Sequence, residues 1–299
     1  MPRAGAREDL RAADFDAAGA TSVGLARERN EDQFLIACLE RTLRILGTSV
    51  GVDTSRWGAR NTVGTLLVVA DGMGGQGGGD VASSVAVHSV AEYLCSVMPW
   101  FDRPGASGQR RDSLPGVRTG LAAAVAQGER AVQQAAEARV DAPKMGTTLT
   151  IAYAHYPLLY LAHVGDSRCY LWRQGALFQL TRDHTVAEQL RQRLGQEVDV
   201  DPQWHHVLWN AVGAGSPEAQ PDIRRHRLAP NDVLLLCSDG LTKHVPDERI
   251  AELLAAPDRA ATRASSLVHE ANLGGGSDNI TAVVAHCIVR PDPVAEPPR

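Results

Sequence analysis

Short apolar runs that stop at an acidic residue constrain this chain more than any other feature. Thr65-Leu66-Leu67-Val68-Val69-Ala70 runs into Asp71-Gly72, and Val233-Leu234-Leu235-Leu236-Cys237 runs into Ser238-Asp239-Gly240. Runs of this kind read as buried strands, so the acids are expected at strand ends, where a rigid scaffold presents chemistry. Three further clusters repeat the pairing of an acid with a glycine or amide neighbour: Asn30-Glu31-Asp32, Gly165-Asp166-Ser167 and Ser277-Asp278-Asn279. Carboxylates brought together without a cation repel and raise one another's pKa values, so a convergent set implies hard divalent cations bound through oxygen.

The 299 residues, 44% of them hydrophobic, can bury a sizeable core. No apolar run approaches the roughly 18 residues that span a bilayer, and Met1–Asp9 lacks the apolar stretch of a signal peptide; a cytoplasmic protein without membrane partners is expected. A net charge of −5 argues against a nucleic-acid partner. Cys38, Cys95, Cys169, Cys237 and Cys287 are scattered and form no CxxC pair, so buried thiols are expected rather than disulfides or zinc ligands.

Residues 1–15 read as a loosely ordered segment and 291–299 as a Pro-rich tail, with one domain over 16–290. Strand-type runs fall at 21–25, 33–39, 66–70, 147–154, 158–164, 169–173, 223–227, 233–237 and 280–289. Short connections such as His155-Tyr156-Pro157 and Arg173-Gln174-Gly175-Ala176 favour antiparallel neighbours. Helical periodicity marks 80–98, 117–140, 247–256 and 258–272. Grouped strands with helices in pairs predict an α+β layering, sheets packed on each other and covered by helices. Two long segments stand apart: 40–64, and 186–220, which opens with an amphipathic helix and is expected to form a flap.

In chain order the motifs are Gly24-x-x-Arg27-x-x-Asn30-Glu31-Asp32, Asp71-Gly72-Met73-Gly74-Gly75, Met145-Gly146-Thr147-Thr148, Val164-Gly165-Asp166-Ser167-Arg168, Leu236-Cys237-Ser238-Asp239-Gly240-Leu241 and Gly276-Ser277-Asp278-Asn279-Ile280-Thr281. Six motifs in this order closely resemble the bacterial metal-dependent protein serine/threonine phosphatases of the phosphatase 2C (PPM) family, over about residues 19–289. The resemblance implies a four-layer αββα sandwich of two mainly antiparallel sheets flanked by helix pairs. It also implies two Mn²⁺ or Mg²⁺ ions bridged by Asp71. Asp239 and Asp278 would complete one shell, Glu31 and the Gly72 carbonyl the other, with Asp32 holding bound waters and Asp166 a third, weaker ion. Arg27 matches the arginine that grips substrate phosphate, a task for a planar donor fork. Catalysis would then rest on Asp71, Asp239 and Arg27, through a water activated between the ions. The implied partners are phosphorylated proteins, a Ser/Thr kinase and its substrates. Met73 stands where many eukaryotic members carry a histidine proposed as general acid, which leaves the proton donor open.

Other readings fare worse. Gly72-x-Gly74-x-x-Gly77 satisfies a dinucleotide fingerprint, but no second strand ending in an acid follows the helix. Ser238 lacks a nucleophile elbow and reads as structural. His163 and His184 read as packed or hydrogen-bonded residues, because oxygen ligands already complete the site. A catalytically silent phosphoprotein-binding member of the same fold is the rival, and such proteins lose an acid that is present here.

Overall fold

The apolar runs sort by parity. In β3 (Asn61–Met73), Leu66, Val68 and Ala70 face one core while Leu67 and Val69 face another. In β11 (Val233–Cys237), Val233, Leu235 and Cys237 separate in the same way from Leu234 and Leu236. In β12 (Ile280–Val289), Ala282 and Val284 separate from Val283 and Ala285. Successive side chains point to opposite faces, so a strand buried on both sides must be apolar throughout. The computed structural model describes residues 13–41, 61–74, 78–96, 116–139, 142–194, 200–213 and 218–289.

One sheet runs in the order β1 (Ala13–Ser22), β12, β11, β7 (Arg168–Arg173), β8 (Ala176–Gln179). The other runs β10 (Asp222–Arg227), β6 (Leu158–Val164), β5 (Leu149–His155), β3, β4 (Gly146–Thr147), β9 (Val212–Gly213), with β2 (Asp32–Arg41) also paired to β3. Every described ladder is antiparallel. One core lies between the two sheets. A second packs α1 (Gly78–Ser96) and α2 (Val117–Glu137) on β3, β5 and β6; Ala82, Ala86, Val90 and Leu94 give α1 its stripe four residues apart. A third packs α4 (Asp239–Thr242), α5 (Asp247–Ala255) and α6 (Ala260–Leu273) on β11 and β12. The result is the expected α+β, four-layer αββα sandwich.

Several boundaries differ from expectation. β1 starts at Ala13 and pairs it with Val289, so 13–15 belong to a strand rather than to a loose terminus. The run at 21–25 is mostly loop: Val23 and Leu25 are exposed beyond the end of β1. β3 does not stop at Asp71. It continues to Met73 because β4 pairs with Gly72 and Met73, and Gly72 is extended rather than a sharp turn. Its lack of a side chain serves close approach, since a Cβ there would collide with the Gly79 carbonyl oxygen. β8 supplies the second arm of the hairpin expected at 173–176, whereas the single turn α4 was not expected. The hairpin before β8 turns on Gln174 and Gly175, both at positive φ as two-residue hairpin loops favour. Residues 42–60, the core of the segment 40–64, and the tail from 290 lie outside the described residues.

Candidate active site

The register gathers the acidic motifs at one end of the sandwich. Asp32 lies directly opposite Asp71 across β2 and β3, at the end where β6 leads into Gly165-Asp166. In the facing sheet, Cys237 pairs with both Arg168 and Ala282, and Ser22 with Ile280, so the loops carrying Asp239, Asp278 and Arg27 emerge at a shared end. A cleft of about 520 Å³ there is lined by Arg27, Glu31, Asp71, Gly72, Asp166, Asp239 and Asp278, together with Met73 and Lys243. Asp32 sits behind it, 2% exposed. The structure therefore brings together every residue singled out from the motifs.

The non-acidic motif residues hold this arrangement. Thr148 Oγ1 accepts from the Asp71 N–H at 2.9 Å, the Thr148 N–H donates to the Asp71 carbonyl at 2.8 Å, and Thr147 Oγ1 donates to the same carbonyl at 2.9 Å. Asn279 fastens the loop that carries Arg27 and Glu31. Its Nδ2 donates to the carbonyls of Val23 and Arg29, each at 2.9 Å, and its Oδ1 accepts from the Glu31 N–H at 2.8 Å. In Ser277-Asp278-Asn279 the acid thus faces the cleft while the amide fixes the neighbouring wall. Ser238 is structural as expected: its Oγ donates to Asp32 Oδ2 at 2.7 Å and accepts from the Thr281 N–H at 2.9 Å.

The electrostatics are strained. Burial pushes the Asp32 carboxyl up to about 7, against hydrogen bonding from Ser238 and Thr281 and with Asp239 and Asp278 adding to the rise. Asp166 is likewise pushed up to about 7, by burial and then by Asp239 and Asp183. Asp71 is raised well above the carboxylate range by burial and by Asp32, Asp239, Asp166 and Asp278. Glu31 is raised by burial and by Asp80. Asp278 goes the other way: burial would raise it, but hydrogen bonds from Lys243 and Arg27 hold it below its usual value. Asp32 Oδ1 is buried with no hydrogen-bond partner of good geometry.

Two basic side chains answer these six carboxylates. Arg27 Nε lies 2.8 Å from Asp278 Oδ1, and Lys243 Nζ lies 2.6 Å from Asp239 Oδ2 and 2.8 Å from Asp278 Oδ2. Among the described residues no group of three or more His, Cys, Asp or Glu side chains is so arranged that it could hold a metal ion as it stands. Two of the carboxylates that would hold one are turned to these cations. Lys243 escaped the sequence reading; its signal is its place four residues after Asp239, on the same helical face.

Asp183 and the two histidines lie to one side. Asp183 is held by Arg168 through bonds of 2.7 to 3.1 Å and lines an adjoining cleft of about 530 Å³ with Arg182, Arg191, His205 and Arg224. His163 is buried with Nδ1 on Thr150 Oγ1 at 2.9 Å and Nε2 on the Arg182 carbonyl at 3.0 Å. His184 Nδ1 is met by the Gly165 N–H at 3.2 Å and by Asn210 Nδ2 at 2.9 Å. Both are packed and hydrogen-bonded, away from the carboxylates' oxygens.

Known proteins resemble this chain in sequence and fold. Residues 52–270 match the family description Protein phosphatase 2C. The serine/threonine protein phosphatase PstP of Mycobacterium tuberculosis is 36% identical over 226 residues, which are 75% of this chain and 40% of PstP; this chain thus spans well under half of that relative's length. The serine/threonine phosphatase Stp of Listeria monocytogenes is 32% identical over 222 residues, 73% of this chain and 83% of Stp. A crystal structure of the PstP catalytic domain in complex with 2 manganese ions superposes with a TM-score of 0.68 at 33% identity, covering 92% of this chain and 98% of that one. The chain belongs to the protein phosphatase 2C family.

Proposed function

We propose that this chain hydrolyses phosphoserine and phosphothreonine on proteins in a reaction that depends on Mn²⁺ or Mg²⁺. The observation that carries the reading is the convergence of Glu31, Asp71, Asp166, Asp239 and Asp278 beside Arg27 in one cleft, with Asp32 buried behind it. The donor set fits divalent cations. All its candidate ligating atoms are hard oxygens, burial and then neighbouring carboxylates raise Asp32, Asp71 and Asp166, and Asp32 Oδ1 is a buried acceptor without a donor of good geometry. The family member PstP binds 2 manganese ions in its catalytic domain. When bound, such a pair activates water and neutralises charge on the phosphoryl group.

The residues then take the following roles. Asp71, Asp239, Asp278, Glu31 and the Gly72 carbonyl would hold the two ions, and Asp166 would serve a weaker third. Asp32, with one oxygen fixed by Ser238, keeps its other oxygen for the hydration shell. Arg27 is half exposed on the cleft wall and is placed to leave Asp278 for the substrate phosphate, giving a planar fork to its oxygens. The complete acid set favours an enzyme over a silent phosphoprotein binder.

The domain is assigned to 16–290, with β1 extending it to 13, and the flap to 186–220, of which 195–199 and 214–217 lie outside the described residues. α3 (Val186–Leu194) and a 3₁₀ turn at Pro202–His206 stand beside the cleft, which His206, Leu208 and Ala211 help to line. The base of the flap is fixed: Asn210 bonds Gln220 in both directions, and the Gly213 N–H donates to the buried Glu129 at 2.8 Å. Loops carried on a rigid scaffold commonly select substrates, and the flap is assigned that role. The partners are a Ser/Thr kinase and its substrates. Cys169, Cys237 and Cys287 are buried thiols as expected, whereas Cys38 and Cys95 are exposed, against expectation; thiols outside any disulfide suit the reducing cytoplasm as the site of action, and among the described residues no helix is long and apolar enough to cross a membrane.

Phosphate release from a phosphothreonine peptide tests the reading. Release is expected with Mn²⁺ and none in excess EDTA. Full activity in EDTA would overturn the metal mechanism, and no activity in either condition would identify a silent family member.

A further inference from the structure

Lys243 sits where a cation belongs. α4 is a single turn, and the Lys243 N–H donates to the Asp239 carbonyl at 2.9 Å, so the turn that aims Asp239 into the cleft aims an ammonium beside it. Nζ lies 2.6 Å from Asp239 Oδ2 and 2.8 Å from Asp278 Oδ2, distances of strong charge-assisted hydrogen bonds. These are the two carboxylates assigned to one ion's shell. A carboxylate oxygen that receives an ammonium proton cannot also direct the same lone pair at a metal, and two cations packed against one oxygen repel.

The side chain also has somewhere to go. Lys243 lines both the carboxylate cleft and the adjoining cleft, where Asp183 and Glu188 already face Arg168 and Arg182, so its alternative acceptors are the waters of that cleft. An ammonium is a compact charge on a flexible stem, able to leave one set of acceptors for another without rebuilding the backbone. Arg27, the other cation on Asp278, reaches the opposite oxygen of that carboxylate and does not touch Asp239.

We infer that Lys243 is a tethered counter-ion that holds Asp239 and Asp278 together in the metal-free protein and competes with a divalent cation for their oxygens. Binding of the ion expels the ammonium toward the adjoining cleft. The lysine therefore stabilises the empty cluster and weakens metal affinity, so that occupancy follows the free concentration of the ion. The inference rests on the proposed metal role of these carboxylates and not on the identity of the substrate.

Calorimetric titration of the metal-free full chain with Mn²⁺ tests it. Lys243→Met, which keeps the length and removes the charge, is expected to bind Mn²⁺ at least about tenfold more tightly. Its melting temperature in EDTA should fall, and the upward shift produced by Mn²⁺ should widen. Lys243→Arg should keep the weak affinity of the wild type. A second measurement needs no variant, because Lys243 and Lys144 are the only lysines. Acetylation followed by mass spectrometry should find Lys243 protected in EDTA and several-fold more reactive with saturating Mn²⁺, while exposed Lys144 stays constant as the internal control. Equal or weaker Mn²⁺ binding by Lys243→Met, or unchanged protection in a protein shown to hold Mn²⁺, would overturn the inference. If neither wild type nor variant bound Mn²⁺, the metal reading of the site would fall first, and this inference with it.

Discussion

Two clusters of buried ionisable groups meet at the turn between β6 and β7, and they are built on opposite terms. On one side Gly165 donates its N–H to His184, whose ring packs 4.8 Å from that of His163 and 5.0 Å from that of Trp209. On the other side Asp166, the next residue, faces the carboxylates. The histidines stay neutral: burial pushes His163 down to about 3 and lowers His184, and Thr150, the Arg182 carbonyl and Asn210 take up their nitrogens. Asp32 and Asp166 are buried as well, but the carboxylates lack the donors they need: Asp32 Oδ1 has no hydrogen bond of good geometry and Asp71 is pushed far up. Burial alone does not mark a working site. Burial left unsatisfied does, because its energetic cost is removed only when something binds.

The sharpest way to break this contrast is Asp71→Asn. It removes a charge from the centre of the carboxylate cluster and keeps the shape. Turnover of a phosphopeptide with Mn²⁺ is expected to fall by at least roughly a thousandfold. Thermal unfolding in EDTA should show no loss of stability, since the metal-free cluster is relieved of a like charge. A variant that is both inactive and several degrees less stable without metal would mean that the cluster is structurally satisfied, like the histidines.

A smaller effect is expected on the cationic wall. Arg27→Ala should raise KM for a phosphopeptide by roughly tenfold or more with little change in kcat, and Arg27→Lys should rescue poorly because a point charge does not reproduce the fork. Because Arg27 now pairs with Asp278, the alanine variant also tests whether that pair matters to the cluster. A wild-type KM in both variants would remove Arg27 from substrate binding.

The same contrast explains what could be read from the sequence. The apolar runs at 66–70, 233–237 and 280–289 were legible because burial on both faces writes an uninterrupted pattern, and the acids stood out because they interrupt it. Ala13–Ser22 was not legible as a strand. Its alanines and glycine have little strand preference, and it is held by ten residues of pairing with β12. Val23 and Leu25 misled in the opposite sense, being apolar but exposed in a loop. α4 has only four residues and so has no period to detect. Lys243 was missed because one of its partners, Asp278, is 35 positions away, a contact that only the pairing of β11 with β12 creates. The histidine pair was read correctly by elimination, but its partners Thr150 and Asn210 lie on separate elements and left no local trace.

The smallest expected effect on chemistry tests the satisfied side. His163→Gln keeps some hydrogen bonding to Thr150 and the Arg182 carbonyl, and it should leave turnover at pH 8 within about twofold of wild type. Stability should fall by roughly 1–3 kcal/mol, the cost of a buried polar group left imperfectly paired. The pH dependence separates this from a mere packing defect. Besides Thr150 and Arg182, the groups acting on His163 are His184, which lowers its pKa, and Asp222, which raises it; burial outweighs both. The folded ring titrates at about 3 and the unfolded one near 6.5, so as pH falls through that window the unfolded chain takes up a proton that the folded protein refuses. Wild-type stability from this residue is therefore full above pH about 6.5 and is lost toward pH about 3. Glutamine has no such titration. The stability gap between wild type and His163→Gln, followed by thermal melts in EDTA from pH 8 to pH 5, should narrow on acidification. A constant gap would mean that His163 carries its proton in the folded protein, and a tenfold loss of turnover would tie the histidine cluster to the chemistry next door.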